Sequence, residues 1–207
     1  MAPTPAARTR REQRSVDGRA LILEAAVKCL IEEGFGATTT LRIQAAAGVS
    51  RGRLLHYFPS REALLVAAAE HLAGERVRLS IESVEHALLD APHDGDRVTR
   101  VVEHMWSTFH EPHFWAAQEM WTAARTNDGL AEALLPGERR LGGVIRSGVD
   151  RMFGPELAGH PRYTHVRELL LTGMRGVALT YAFDRRDPRR DPHLAQWVDL
   201  ARLLLEI

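Results

Sequence analysis

Apolar residues recur along this chain at the spacing of helices. Ile22, Ala25, Ala26, Cys29 and Leu30 follow i, i+3, i+4, i+7, i+8, one stripe of an amphipathic helix. Gly34 and Gly36 end it. Thr38–Thr40 offer hydroxyl caps for a second helix from Leu41 to about Ala47. After the break at Gly48-Val49-Ser50, Ser50 caps a third short helix, Arg51 to about Tyr57, which Pro59 stops. Ser60 opens a fourth, and Leu65 to Leu89 reads as one long helix, weakened at Gly74. Pro92-His93-Asp94-Gly95 reads as a loop, and residues 96–110, 113–126, 137–153, 161–184 and 192–206 are further helices. The near-repeat RRDPRRDP at 185–192 is a connector. No run of alternating β-branched residues and no hairpin signal occurs. The fold class expected is all-α, with about nine helices.

Composition adds two things. With 45% hydrophobic and 26% charged residues among 207, the chain can form a buried core. Its formal net charge of zero hides an asymmetry: residues 1–62 carry ten Lys/Arg against six Asp/Glu, so a basic front precedes an acidic body. The first 16 residues hold Arg8, Arg10, Arg11 and Arg14 among alanines and prolines, the composition of a flexible arm. Cys29 is the single cysteine, so no intrachain disulfide can form. The Arg-rich start has no apolar stretch behind it, and no apolar run reaches the ~20 residues of a membrane helix. A soluble, cytoplasmic protein with no membrane association is expected.

Three short helices with a Gly-Val-Ser turn between the second and third form the helix-turn-helix layout. Ala47 is small where two helices cross, Gly48 takes the turn, and Val49 plugs the space between them. Ile43, Leu54 and Phe58 close an apolar triangle with the first stripe. The other face of the third helix is then Arg51, Gly52, Arg53, His56 and Tyr57, a set that can reach phosphates and base edges in a major groove.

On these residues the segment 19–65 resembles the DNA-binding domain of the tetracycline-repressor (TetR) family. The match runs through Gly34-Phe35, Thr39-Thr40, Ala47-Gly48-Val49-Ser50, His56-Tyr57-Phe58 and Ser60-Arg61-Glu62-Ala63-Leu64, about a quarter of the chain. The resemblance implies that Thr39 and Thr40 hold a phosphate at the start of the second helix. It implies base or phosphate contacts for Arg51 and Arg53, backbone or thymine contacts for His56 and Tyr57, and a phosphate contact for Arg61, where the family usually has lysine. Ser50 and Gly52 belong to the same surface. Two positions depart from the pattern. Leu55 replaces a usual tyrosine and is either structural filler or a thymine-methyl contact; Gln44 replaces a small alanine and points to DNA or to solvent. The basic arm is open to two readings, a groove-tracking arm or a segment indifferent to DNA.

The resemblance divides the chain into the arm 1–16, a helix-turn-helix domain 17–65, and a ligand-binding and dimerisation domain 66–207. Three of four tryptophans fall between 106 and 121. In the family this region encloses an effector, so Met105, Trp106, Phe109, His110, Phe114, Trp115, Glu119 and Trp121 are the expected ligand-binding residues; an ordinary core of large residues is the competing reading. The last two helices are the family's dimer interface, which implicates Leu170, Gly173, Val177, Trp197, Val198 and Leu204. His104, His110 and His113 raise the question of metal, but Pro112 disrupts their turn and no third ligand has zinc spacing, so no metal and no cofactor is expected. No catalytic motif occurs and Cys29 lies on a buried stripe, so no enzyme is expected. The function implied is a transcriptional regulator, a repressor in the family's usual habit. Its partners would be a palindromic double-stranded DNA operator, a small and largely apolar effector, and a second copy of the chain. The alternative is a DNA-binding or architectural factor governed by a protein partner, with no small-molecule switch.

Overall fold

In the computed structural model, residues 5–89, 97–184 and 186–207 are described, with side chains from residue 18 onward except at 85 and 87–89. Nine α-helices and one 3-10 turn make up the described residues, which contain no strand. They are α1 (Pro5–Ala37), α2 (Thr40–Ala46), α3 (Arg51–Tyr57), α4 (Arg61–Leu89), α5 (Arg97–Thr108), α6 (Pro112–Ala124), α7 (Asp128–Ala158), α8 (Tyr163–Thr180), the turn Pro188–Arg190, and α9 (Pro192–Leu205). Helix α1 begins at Pro5, inside the stretch read above as an arm, whose side chains lie outside the described residues. So does the loop expected at 92–95.

Two further boundaries differ from the sequence pattern. Helix α7 starts at Asp128, well before the expected residue 137. Asn127 caps it, its side-chain oxygen accepting from the Leu130 amide at 3.0 Å. The buried pair Leu130 and Leu134 carries the apolar stripe up to Pro136, and Leu141 resumes it. Proline there removes one backbone hydrogen bond, and burial on both sides of it outweighs that loss. Helix α8 stops at Thr180, and the residues to Asp184 form turns.

The chain forms two compact units. The first comprises residues 1–74 and 115–138, so most of α6 and the start of α7 join the helix-turn-helix segment. Its core has two clusters. Ile22, Leu23, Ala26 and Cys29 of α1 pack with Ile43, Val49, Leu54, Phe58 and Leu64. Val27 and Leu30 of α1 pack with Ala69 and Leu72 of α4, Ala116, Ala117 and Met120 of α6, and Leu130 and Leu134 of α7. Burial raises the Cys29 thiol pKa, with nearby Glu33 adding to the shift, so this sulfur is held as a thiol.

The second unit comprises residues 75–114 and 139–207. Helix α5 buries Val98, Val101, Val102, Met105 and Trp106 on one face. Phe153 of α7 is fully buried and meets the Tyr163 ring edge-on at 5.3 Å. Asp150 joins α7 to α8, accepting from the Tyr163 hydroxyl at 2.8 Å and from Arg167 at 2.7 and 3.0 Å. Within this unit α4 and α7 approach closely at Gly148, where an added Cβ would lie 2.7 Å from Val84 Cγ2. Val84 is buried and β-branched, so it cannot swing aside. Gly148→Ala is therefore expected to destabilise the protein by ~1–3 kcal/mol, despite alanine's better helix propensity. In a double-mutant cycle followed by urea unfolding, Val84→Ala should relieve part of that cost, so that the pair costs less than the sum.

Candidate nucleic-acid interface

Two capped short helices and a tight turn build the site. Thr39 is the N-cap of α2, its hydroxyl accepting from the Arg42 amide at 3.2 Å. Ser50 does the same for α3, accepting from the Arg53 amide at 3.2 Å. Between them Gly48 has φ +61°, a conformation that favours glycine. The turn sends Val49 inward, and Leu54 and Phe58 fix the inner face of α3. Arg51, Gly52, Arg53, Leu55 and His56 remain exposed, with Tyr57 half-buried against the core. Space beside Gly52 is open, with no atom within 4 Å of an added Cβ, so a partner can approach the backbone there.

The remaining expected contacts divide. Thr40 begins α2 and is half-buried, and Gln44 lies half-buried on the same helix. Leu55 is 45% exposed. The Arg61 guanidinium lies over the Phe35 ring, 5.5 Å from its centroid. Arg53 folds back over α1, its guanidinium occupying the space a Cβ at Gly18 would take. Sequence reasoning passed over three residues beside this surface. Leu41 is 71% exposed at the start of α2, Arg42 is held by Glu33 at 2.8 Å, and Arg19 stacks on Phe58 at 5.5 Å. Leu41 and Arg42 follow the capping threonines directly, which is the signal that could have found them.

One expected effector residue instead supports this head. Helix α1 breaks at Gly34, with φ +75°, and Glu119 of α6 accepts the Phe35 amide there at 2.9 Å. Buried Thr38 donates its hydroxyl to the Gly34 carbonyl at 2.7 Å and secures the same bend. Glu119 thus ties α6 to the turn that aims α2.

The other expected effector residues fall into both units. Trp115 and Trp121 are half-buried in the first. In the second, Met105, Trp106, Phe109 and Phe114 are buried among other large side chains. Trp106 donates to the Pro188 carbonyl at 2.7 Å and packs on Trp197 at 4.8 Å and Tyr181 at 5.8 Å. His110 meets Trp106 at 4.5 Å and Tyr181 at 5.1 Å. Burial lowers its pKa, with Asp191 opposing, which favours the neutral ring, and its buried Nε2 has no hydrogen-bond partner among the described residues.

Of the residues expected at a dimer interface, Leu170, Trp197 and Val198 are buried within the chain itself, and Gly173 faces Trp197. Val177 and Leu204 are half-buried. The exposed apolar positions lie one step round each helix: Leu169 and Leu179 on α8, Phe183 just beyond it, and Leu200 and Leu203 on α9, with Ile207 following. Among the described residues no helix is long and apolar enough to cross a membrane, and no group of three or more His, Cys, Asp or Glu could hold a metal ion.

Residues 22–68 match the family model of bacterial regulatory proteins of the tetR family. Over 119 residues the chain is 32% identical to the HTH-type transcriptional repressor Rv1474c of Mycobacterium tuberculosis, covering 54% of this chain and 64% of that protein. The match thus spans under two thirds of that relative. Among solved structures, a TetR family transcription regulator from Marinobacter aquaeolei VT8 superposes with a TM-score of 0.56 at 18% identity, covering 92% of this chain and 96% of the other. The multidrug binding protein EbrR, complexed with imidazole, gives 0.59 at 16% identity over 90% and 93% of the two chains. At these identities the structures show a shared fold.

The Glu119 bond predicts a paired result. Glu119→Ala removes the acceptor, and hydrogen-exchange protection of the Phe35 amide should fall about fivefold, the equivalent of ~1 kcal/mol. Glu119→Gln keeps a side-chain carbonyl oxygen at that place and should preserve the protection. Equal protection in both variants and the parent would show that the bond holds nothing.

Proposed function

We propose, from the match of residues 22–68 to the family model of bacterial regulatory proteins of the tetR family, that the chain is a DNA-binding transcriptional regulator of that family, acting as a repressor. The observation that carries this reading is the outer face of α3. Ser50 caps the helix, Leu54 and Phe58 anchor it, and Arg51, Gly52, Leu55 and His56 stay exposed together. Cations beside open backbone suit phosphates and guanine edges, and exposed Leu55 suits a thymine methyl. Thr39, Thr40, Ser50 and Arg61 position the head on the backbone, with Gln44 and Tyr57 at its margin. Arg53 reaches a base by swinging away from Gly18.

A second copy of the chain completes the reader. Leu169, Leu179, Phe183, Leu200, Leu203 and Ile207 form the surface that joins two protomers, with half-buried Val177 and Leu204 beside it. Two heads related by a dyad read two half-sites, so the operator is palindromic. An effector that binds one spacing of the heads better than the other releases DNA by the ratio of its two affinities.

Selection of bound duplexes from fragmented genomic DNA, repeated across a salt series, tests the reading. A palindromic site whose affinity falls steeply with salt is expected, and recovery of no specific sequence overturns it. Arg53→Ala should cost ~1–3 kcal/mol on the selected site if the residue reads a base; an equal loss on all sequences assigns it to a phosphate. Leu203 is 73% exposed, so Leu203→Asp should give folded monomers by analytical ultracentrifugation with weakened operator binding. An unchanged dimer would move the interface elsewhere.

A further inference from the structure

Beside the close approach at Gly148, α4 and α7 leave an open groove of about 500 Å³ in the second unit. Ile81, Val84 and Val144 give it an apolar lining, with Ile81 40% exposed. Ser80 and Ser147 add hydroxyls, and Gly143 contributes no side chain to fill it. Arg140 and Arg151 also line the groove, eleven residues apart on α7 and so ~16 Å along its axis. None of the aromatic residues expected to bind an effector lines it.

The charge here is unbalanced. On α4, Glu75 and Glu82 hold Arg78 at 2.9 and 2.8 Å. On α7, Asp150 is engaged by Arg167 and Tyr163. Among the described residues no ion pair holds Arg140 or Arg151. An apolar wall between uncompensated guanidinium groups favours a ligand with an apolar chain and a negative head, since guanidinium pairs with planar acids through charge-assisted hydrogen bonds.

We propose that this groove binds an amphipathic anion. Its single apolar chain lies along Ile81, Val84 and Val144, and its carboxylate or phosphate head sits on Arg140 or Arg151. As the effector site of the regulator, this rests on the ligand-responsive reading above; as a binding site it does not.

Calorimetric titration of the full chain with decanoate, decyl phosphate and decyltrimethylammonium, each below micelle formation, tests it. Both anions or one of them should bind, and the cation should not; the tighter anion identifies the headgroup. Arg140→Gln or Arg151→Gln should weaken binding about tenfold or more, the larger loss marking the arginine that pairs. Ile81→Asn should weaken it as well, with circular dichroism showing each variant folded. The proposal fails if neither anion binds, if the cation binds as tightly, or if all three variants bind as the parent does. Adding the bound anion to the operator complex separates the two readings. Groove binding without release of DNA leaves the site standing and removes the ligand response.

Discussion

One helix serving two cores is the constraint on which the first unit depends. Helix α1 turns Ile22, Leu23, Ala26 and Cys29 toward α2 and α3, and Val27 and Leu30 toward α4, α6 and α7. Helix α4 repeats the arrangement, with Leu64 and Ala68 in one cluster and Ala69 and Leu72 in the other. A shift of α1 to suit either cluster strains the other, because packed interiors tolerate little displacement. The exposed face of α3 is thus held from behind by the same helix that orders α6.

Polar contacts sharpen what burial fixes coarsely. Apolar packing sets which face of α3 is inward, but the bend between α1 and α2 is set by a left-handed glycine, the Thr38 hydroxyl and the Glu119 carboxylate. Each such bond contributes only ~1 kcal/mol, yet it decides the direction in which α2 leaves α1. In the second unit the Asp191 carboxylate does similar work. It accepts from the Tyr181 hydroxyl and from His193 at 2.7 Å, anchoring the start of α9.

Much of this was legible in the sequence where periodicity and capping agree. The stripe from Ile22 to Leu30, the caps Ser50 and Thr39, and the Gly48 turn lie where the pattern put them, because each is a local constraint. The second face of α1 escaped notice because Val27 falls outside the stripe and Leu30, which belongs to that face, was read as part of the first. Helices α8 and α9 were legible as helices but not in orientation. Leu169, Leu170 and Leu171 are consecutive, so only packing distinguishes buried Leu170 from half-exposed Leu169. Glu119 was equally hidden, since a carboxylate eighty-four residues from its partner amide leaves no mark in local spacing. The aromatic stretch carried two readings, cavity or core, that composition alone could not separate.

The double duty of α1 also governs modularity. A cut after residue 65 severs the first cluster from Ala67 and Ala68 and leaves Val27 and Leu30 without Ala69, Leu72, Ala116 and Met120. The segment from α1 to α3 is therefore not a transplantable cassette: a chimera that takes residues 17–65 from one protein and the remainder from another inherits a mismatched seam through its middle. Exchange between such chains is easiest on a smaller scale, at the exposed positions of α3, whose replacement disturbs neither cluster.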